Sequence, residues 1–140
     1  MAVMMGYSKR ANCTRAFALL AEGWNELVQS DWTREGVSQS PVLASDEVIY
    51  AISVEGDIVG AMAFMAQDDA IKVNLSYVEP SCRRKGIYTM MFNELLKLAK
   101  ERGVIHLTSE VSAENKVMQA VLRHTGRAAV AIVFEMTLLA

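Results

Sequence analysis

Val78-Glu79-Pro80-Ser81-Cys82-Arg83-Arg84-Lys85-Gly86-Ile87-Tyr88-Thr89 is the stretch that decides the fold of this 140-residue chain. An apolar, β-rich run precedes it, and Pro80 ends that run because proline has no N–H to give a sheet ladder. From about Gly86 to Arg102 apolar residues return at helical spacing. Between strand and helix stand Arg83, Arg84 and Lys85, followed by Gly86, where the helix should begin. A helix N-terminus carries partial positive charge and prefers anions, so three cations there are misplaced unless an anion sits above them. A basic strand-to-helix turn with unpaired backbone N–H groups is suited to holding a phosphate.

Composition narrows the classes. Hydrophobic residues make up 52% of the chain and charged residues 21%, which predicts a folded domain and excludes disorder. Length points to one domain over residues 1–140. The net charge of −2 makes the three-cation cluster local, so general nucleic-acid binding is not expected. Cys13 and Cys82 are far apart and form no CxxC pattern, which argues against a disulfide framework and a structural metal site. No run approaches the ~18 apolar residues of a membrane span. Met1–Met5 is too short for a signal h-region, and a soluble cytoplasmic domain is expected.

Taken in order, residues 2–7 suit a short edge strand. Asn12 to Ser30 is an amphipathic helix on Cys13, Phe17, Leu20, Trp24, Leu27 and Val28, with Asn12 as N-cap and Gly23 as a place of close backbone approach. Residues 31–46 read as a turn-rich loop, with one helical turn from Asp31 and Trp32 as its anchor. Three strands follow, Val48–Val54, Ile58–Ala66 and Ile71–Val78, joined by turns at Glu55-Gly56-Asp57 and Gln67-Asp68-Asp69. On the third, Ile71, Val73, Leu75 and Tyr77 should share an apolar face, opposite Lys72, Asn74, Ser76 and Val78. The next helix buries Ile87, Met90, Met91, Leu95 and Leu98, places Lys97, Lys100 and Arg102 toward its negative end, and closes at Gly103. Val104–Val111 should be a strand parallel to Ile71–Val78 through a right-handed crossover. Ser112 then caps a helix from Ala113 to about His124, with Val117, Val121 and Leu122 inward and Gly126 closing it. Ala128–Leu139 is a last strand. The expected fold class is α/β: a mixed sheet of antiparallel meander plus parallel βαβ crossover, with helices on both faces.

From about Val48 onward this pattern resembles the GNAT acetyltransferase family. The family's central strand ends in Val-x-Pro, followed by Arg or Gln, two residues, Gly, one residue, and Gly or Ala. Here those positions are Val78-Glu79-Pro80 and Arg83-Arg84-Lys85-Gly86-Ile87-Tyr88. A second block, Glu110-Val111 followed by Asn115 and later Gly126, matches as well. The resemblance implies acetyl-CoA as cosubstrate. Its pyrophosphate would lie on the turn of Arg83, Arg84, Lys85, Gly86, Ile87, Tyr88 and Thr89. Its pantetheine arm would pair with backbone near Tyr77 and Val78, in a gap that a bulge opens between two parallel strands. Asn115 would bind the arm, although capping its own helix is the other reading of that residue.

The same resemblance implies direct acetyl transfer to a primary amine of a small molecule or protein. A backbone N–H near Val78 would stabilise the oxyanion. Glu110 would be the catalytic base, accepting a proton from an ammonium of pKa about 10. Rivals are Glu79, or Asn74 or Ser76 holding a water. A solvent-facing carboxylate is the plain reading of Glu110. His106 and His124 read as ordinary histidines and Cys82 as a small filler, with no metal site expected. Three positions depart from the family: Tyr88 replaces Gly or Ala, Leu122 stands where many relatives carry the tyrosine that protonates the leaving thiolate, and Arg127 replaces Phe. Leu122 keeps a second function open, that of a cofactor-binding or interaction module without transfer. A single strand after Gly126 would leave an open edge that invites a homodimer.

Overall fold

Strands β1 (Val3–Ser8), β2 (Glu47–Ser53), β3 (Ile58–Gln67), β4 (Ala70–Val78) and β5 (His106–Ser109) lie side by side in that order. The first four are antiparallel neighbours, and β5 joins β4 in parallel. This is a computed structural model, and it describes residues 2–29, 40–111, 115–130 and 136. Helix α1 (Ala16–Gln29) precedes β2, α2 (Ile87–Glu101) forms the crossover from β4 to β5, and α3 (Lys116–His124) follows β5. The mixed α/β sheet expected from the sequence is therefore present.

Two cores sandwich the sheet. Ile49, Met62 and Phe64 pack with Ile87, Met91 and Leu95 of α2, whereas Val48, Ala61 and Ala63 pack with Ala16, Leu19 and Leu20 of α1. Neighbouring strand residues point to opposite faces, so α1 and α2 cover opposite sides of the sheet. Phe64 is fully buried; truncation to alanine should cost ~3–5 kcal/mol. At the end of α2, Arg102 does more than face the helix dipole. Its guanidinium forks onto Glu47 at 2.9 and 2.6 Å and reaches the Tyr7 hydroxyl at 3.0 Å, tying the helix to β1 and β2. Tyr7 in turn donates to Glu47.

Several expectations need correction. Ile71, Val73, Leu75 and Tyr77 do not share one face. Phe64 pairs with Val73 and the next residue back, Ala63, pairs with Leu75, so Asn74 is an extra residue in β4. A bulge of this kind reverses the alternation: Ile71 and Val73 face the α2 core, and Leu75 and Tyr77 face the α1 core. Asn12 is not a helix cap but part of a 3-10 turn over Ala11–Cys13, and α1 starts later, at Ala16. The fifth strand is shorter than Val104–Val111, because Val104 is held by Ala99 at the end of α2 and Ile105 by the Asp69 carbonyl. The last described helix is capped by Asn115 rather than Ser112 and begins at Lys116. Val117 and Met90 point to solvent, at 63% and 39% exposure, because each lies off the stripe its helix turns to the sheet. Trp32 and the Asp31 turn lie outside the described residues, as does most of Ala128–Leu139; residues 128–130 are not strand.

Candidate acyl-donor cleft

The turn after β4 is fixed at its start. Glu79 N donates to the Val59 carbonyl at 2.9 Å, Pro80–Cys82 form one 3-10 turn, and Cys82 is buried in the α2 core, as a filler would be. Beyond it the backbone takes two left-handed steps, at Arg84 (φ 64°) and Gly86 (φ 80°). Such steps gather successive N–H groups into an anion-binding concavity. Helix α2 begins with Met90 N donating to the Gly86 carbonyl, so the N–H groups of Ile87, Tyr88 and Thr89 have no partner inside the helix. Gly86 is the N-cap and has no side chain to serve as one. A Cβ built at Gly86 would meet no atom within 4 Å, so the space above the turn is open.

The three cations of this turn have separate fates. Arg83 is spent inside the protein. Its two terminal nitrogens reach the Glu26 carboxylate at 3.0 and 2.7 Å, its Nε donates to the Val78 carbonyl at 2.9 Å, and its guanidinium lies 5.1 Å from the centre of the Tyr77 ring. The Arg83 hydrogen bonds hold the Glu26 carboxyl below its ordinary value. Burial, then the Glu26 carboxylate, pushes the Tyr77 phenol up to about 12. Arg84 and Lys85 are exposed and make no ion pair among the described residues.

Tyr88 turns its side chain away from the open turn. Its ring lies parallel to Phe92 at 6.4 Å, and its hydroxyl accepts from Arg127 at 2.9 Å. The Arg127 guanidinium stands 4.0 Å over Phe92. Two departures from the family pattern, Tyr88 and Arg127, thus meet each other. The large side chain that could have blocked the turn is held elsewhere.

A fork lies beside the turn. β5 pairs with β4 only from Ala70 to Val73, and Ser109 opposite Val73 is its last paired residue. From the bulged Asn74 to Val78, β4 has no further neighbour on that side among the described residues. The Ser109 hydroxyl, at the vertex, is buried and has no hydrogen-bond partner among the described residues. Just past the vertex, Glu110 projects with its side chain 84% exposed and lies 3.1 Å from the Lys72 ammonium. Asn115 is 6% exposed, and its Oδ1 accepts the Met118 N–H at 3.1 Å. Leu122 is buried. His124, at the far end of α3, is exposed.

One residue at the fork escaped the sequence reading. Asp46 is 2% exposed, and its Oδ2 accepts from Asn74 Nδ2 at 2.8 Å and from Leu43 N at 3.1 Å. It therefore fixes the amide of the bulged residue from the α1 side of the sheet. An acid in a turn-rich segment just before a strand reads as punctuation, and no local signal marks it as buried.

The molecule is thus a mixed-sheet α/β protein with an uncapped, basic helix start opening onto a forked pair of parallel strands. Residues 13–126 match the model of the acetyltransferase (GNAT) family, and the chain belongs to that family. No curated protein matches it in sequence. Among solved structures it is similar to ribosomal-protein-alanine N-acetyltransferase from Brucella melitensis biovar Abortus 2308, at 21% identity and a TM-score of 0.71, with 99% of this chain and 100% of that one covered. An aminoglycoside acetyltransferase from an uncultured soil metagenomic sample, in complex with trehalose, aligns at 14% identity and a TM-score of 0.71 over 99% and 97% of the two chains. AAC(6')-Iy in complex with the bisubstrate analog CoA-S-monomethyl-acetylneamine aligns at 15% identity and a TM-score of 0.63 over 99% and 100%.

Proposed function

We propose that this chain is an acetyl-CoA-dependent N-acetyltransferase that moves an acetyl group directly to a primary amine of a small molecule or protein. The observation that carries the reading is the uncapped start of α2, with its unpaired N–H groups and two unengaged cations beside the β4–β5 fork. The residues fit the cosubstrate on two further counts: the empty space over Gly86 and the orphaned Ser109 hydroxyl at the vertex. When bound, acetyl-CoA supplies the acetyl group as an activated thioester.

The backbone N–H groups of residues 84–89, with Arg84 and Lys85, hold the pyrophosphate. Tyr77 and Val78 offer backbone to the pantetheine arm along the unpaired half of β4. With its Oδ1 occupied, Asn115 serves the arm only through Nδ2. The bulge, which the structure puts at Asn74, leaves backbone N–H groups near the vertex free to stabilise an oxyanion. Glu110 is exposed at the mouth of the fork and takes the acceptor's proton, directly or through a water. Asn74, its amide fixed by Asp46, is the residue best placed to hold such a water.

The Leu122 side chain favours a second reading, a cofactor-binding or protein-interaction module, because a buried apolar residue cannot protonate a thiolate. Thermal shift separates these. Ligand at 100 times its dissociation constant adds about 2.7 kcal/mol of stability. A shift with acetyl-CoA and thiol release over an amine panel supports transfer; a shift with no release supports the module; no shift with acetyl-CoA or free coenzyme A sinks both cofactor readings. Glu110→Gln should cut turnover about a hundredfold and leave coenzyme A affinity intact. Wild-type turnover in Glu110→Gln would remove Glu110 from the mechanism.

A further inference from the structure

Of the three cations in the turn, Arg83 is the one whose three guanidinium nitrogens each donate a hydrogen bond within the chain. Its fork meets Glu26 of α1 with two bonds, at 3.0 and 2.7 Å, and its Nε closes on the Val78 carbonyl at the end of β4. Its own N–H is turned back to the Pro80 carbonyl at 3.4 Å. Tyr77 completes the cluster, with its ring 5.1 Å from the guanidinium. The same ring presses on α1 so closely that a Cβ at Gly23 would stand 2.6 Å from it. One helix, one strand end and one turn thus converge on a single guanidinium.

We propose that Glu26 and Arg83 are positioning residues for coenzyme A: a latch through which α1 holds the phosphate turn in its open shape, with Arg83 not itself a phosphate ligand. The proposal deepens the acetyltransferase reading and rests on it for the identity of the ligand. The physical reason is geometric. Arg84 is a non-glycine residue at positive φ, a conformation that persists only when its surroundings impose it. The backbone immediately before it is the part that the fork pins. A bidentate guanidinium–carboxylate pair fixes direction as well as distance, which a lysine at the same place cannot do. Without the latch, the residue before Arg84 is free to rotate, and the N–H groups of 84–89 no longer converge.

The two roles for Arg83 predict opposite effects of a change at Glu26. If Arg83 touched phosphate, Glu26→Gln would release a cation toward the ligand, and affinity would stay equal or rise. If Glu26 and Arg83 form a latch, Glu26→Gln and Arg83→Gln should each weaken coenzyme A binding about tenfold. The double variant should then bind no worse than either single one, since both remove the same interaction. Arg83→Lys should behave like Arg83→Gln, because charge without the fork does not restore the geometry. With an active enzyme, KM for acetyl-CoA should rise and kcat should change little.

Native-state hydrogen exchange reads the latch without any ligand. In both single variants the amides of Cys82 and Met90, which the turn's own carbonyls hold at 2.9 and 3.0 Å, should exchange faster than in the wild type. A wild-type protein that binds no coenzyme A refutes the acetyltransferase reading, and the exchange measurement still decides the latch. Wild-type affinity in Glu26→Gln, additive losses in the double variant, or unchanged exchange at Cys82 and Met90 would each overturn the proposal.

Discussion

Helices α2 and α3 start in opposite ways. At α3 the chain supplies its own cap: Asn115 is buried, and its side-chain oxygen takes the Met118 N–H. At α2 the cap position is Gly86, which has no side chain, and no side-chain cap replaces one among the described residues. A protein that can cap a helix with one asparagine has left another helix start open and put two exposed cations on it. Unpaired donors cost little in water, but the cations beside them are unfavourable there. The difference is why the proposed phosphate site lies at α2 and not at α3.

The comparison breaks most completely at Gly86. Gly86→Glu would place a carboxylate over the open N–H groups and let α2 cap itself as α3 does; coenzyme A affinity should fall more than about a hundredfold. Calorimetric titration checks it, with Gly86→Asn, which tolerates a positive φ better, as the control for backbone strain. Retained affinity in the Glu variant would refute the phosphate turn.

Removing the free cations is the next largest effect. Arg84→Ala with Lys85→Ala should weaken binding about tenfold to thirtyfold at low salt, and the gap should narrow as salt rises. An equal loss at all ionic strengths would mean that the side chains act by packing and not by charge.

At the other helix, Asn115→Ala removes the cap and should destabilise the protein by about 1 kcal/mol. Thermal melting reads this directly. If coenzyme A affinity falls far more than stability, then Nδ2 of Asn115 serves the arm and α3 also faces the ligand.

The smallest effect concerns acid. The Glu26 carboxyl lies below its ordinary value of 4.5 because Arg83 bonds to it. A depressed carboxyl stabilises the fold fully above its unfolded value and loses that contribution as pH falls through the folded one. Glu26→Gln should therefore lower stability at neutral pH and converge on the wild type as pH falls below 4.5, flattening the acid side of the melting profile. The pair is partly exposed, so the change should be slight. An identical acid limb in wild type and variant would show that the pair carries no stability.

Much of the site was legible because its signals are local. Val78-Glu79-Pro80 and Gly86 mark a strand end and a helix start through properties of single residues: a missing N–H and a permissive backbone. Gly23 suggested a bend or a close backbone approach, and what approaches is the Tyr77 ring, a side chain and not a backbone. Other readings failed where a non-local event intervened. Alternation along β4 cannot show that Asn74 is a bulge, because the insertion exists only relative to β3. Asn115 carried two readings, and capping is the one the coordinates display.

The amino-acid sequence by itself determined the meander, the crossover and the basic turn, since these follow from periodicity and from residues that act within a few positions of themselves. Tertiary structure alone decided how the three cations divide. Arg83 is claimed by Glu26, 57 residues earlier, and Tyr88 is drawn aside by Arg127, 39 residues later. Arg84 and Lys85 stay exposed, with no ion pair among the described residues. A side chain's identity sets what it can bond to, but which partner it meets depends on how α1 packs on the sheet and where the chain after α3 meets α2, and no spacing in the sequence records that.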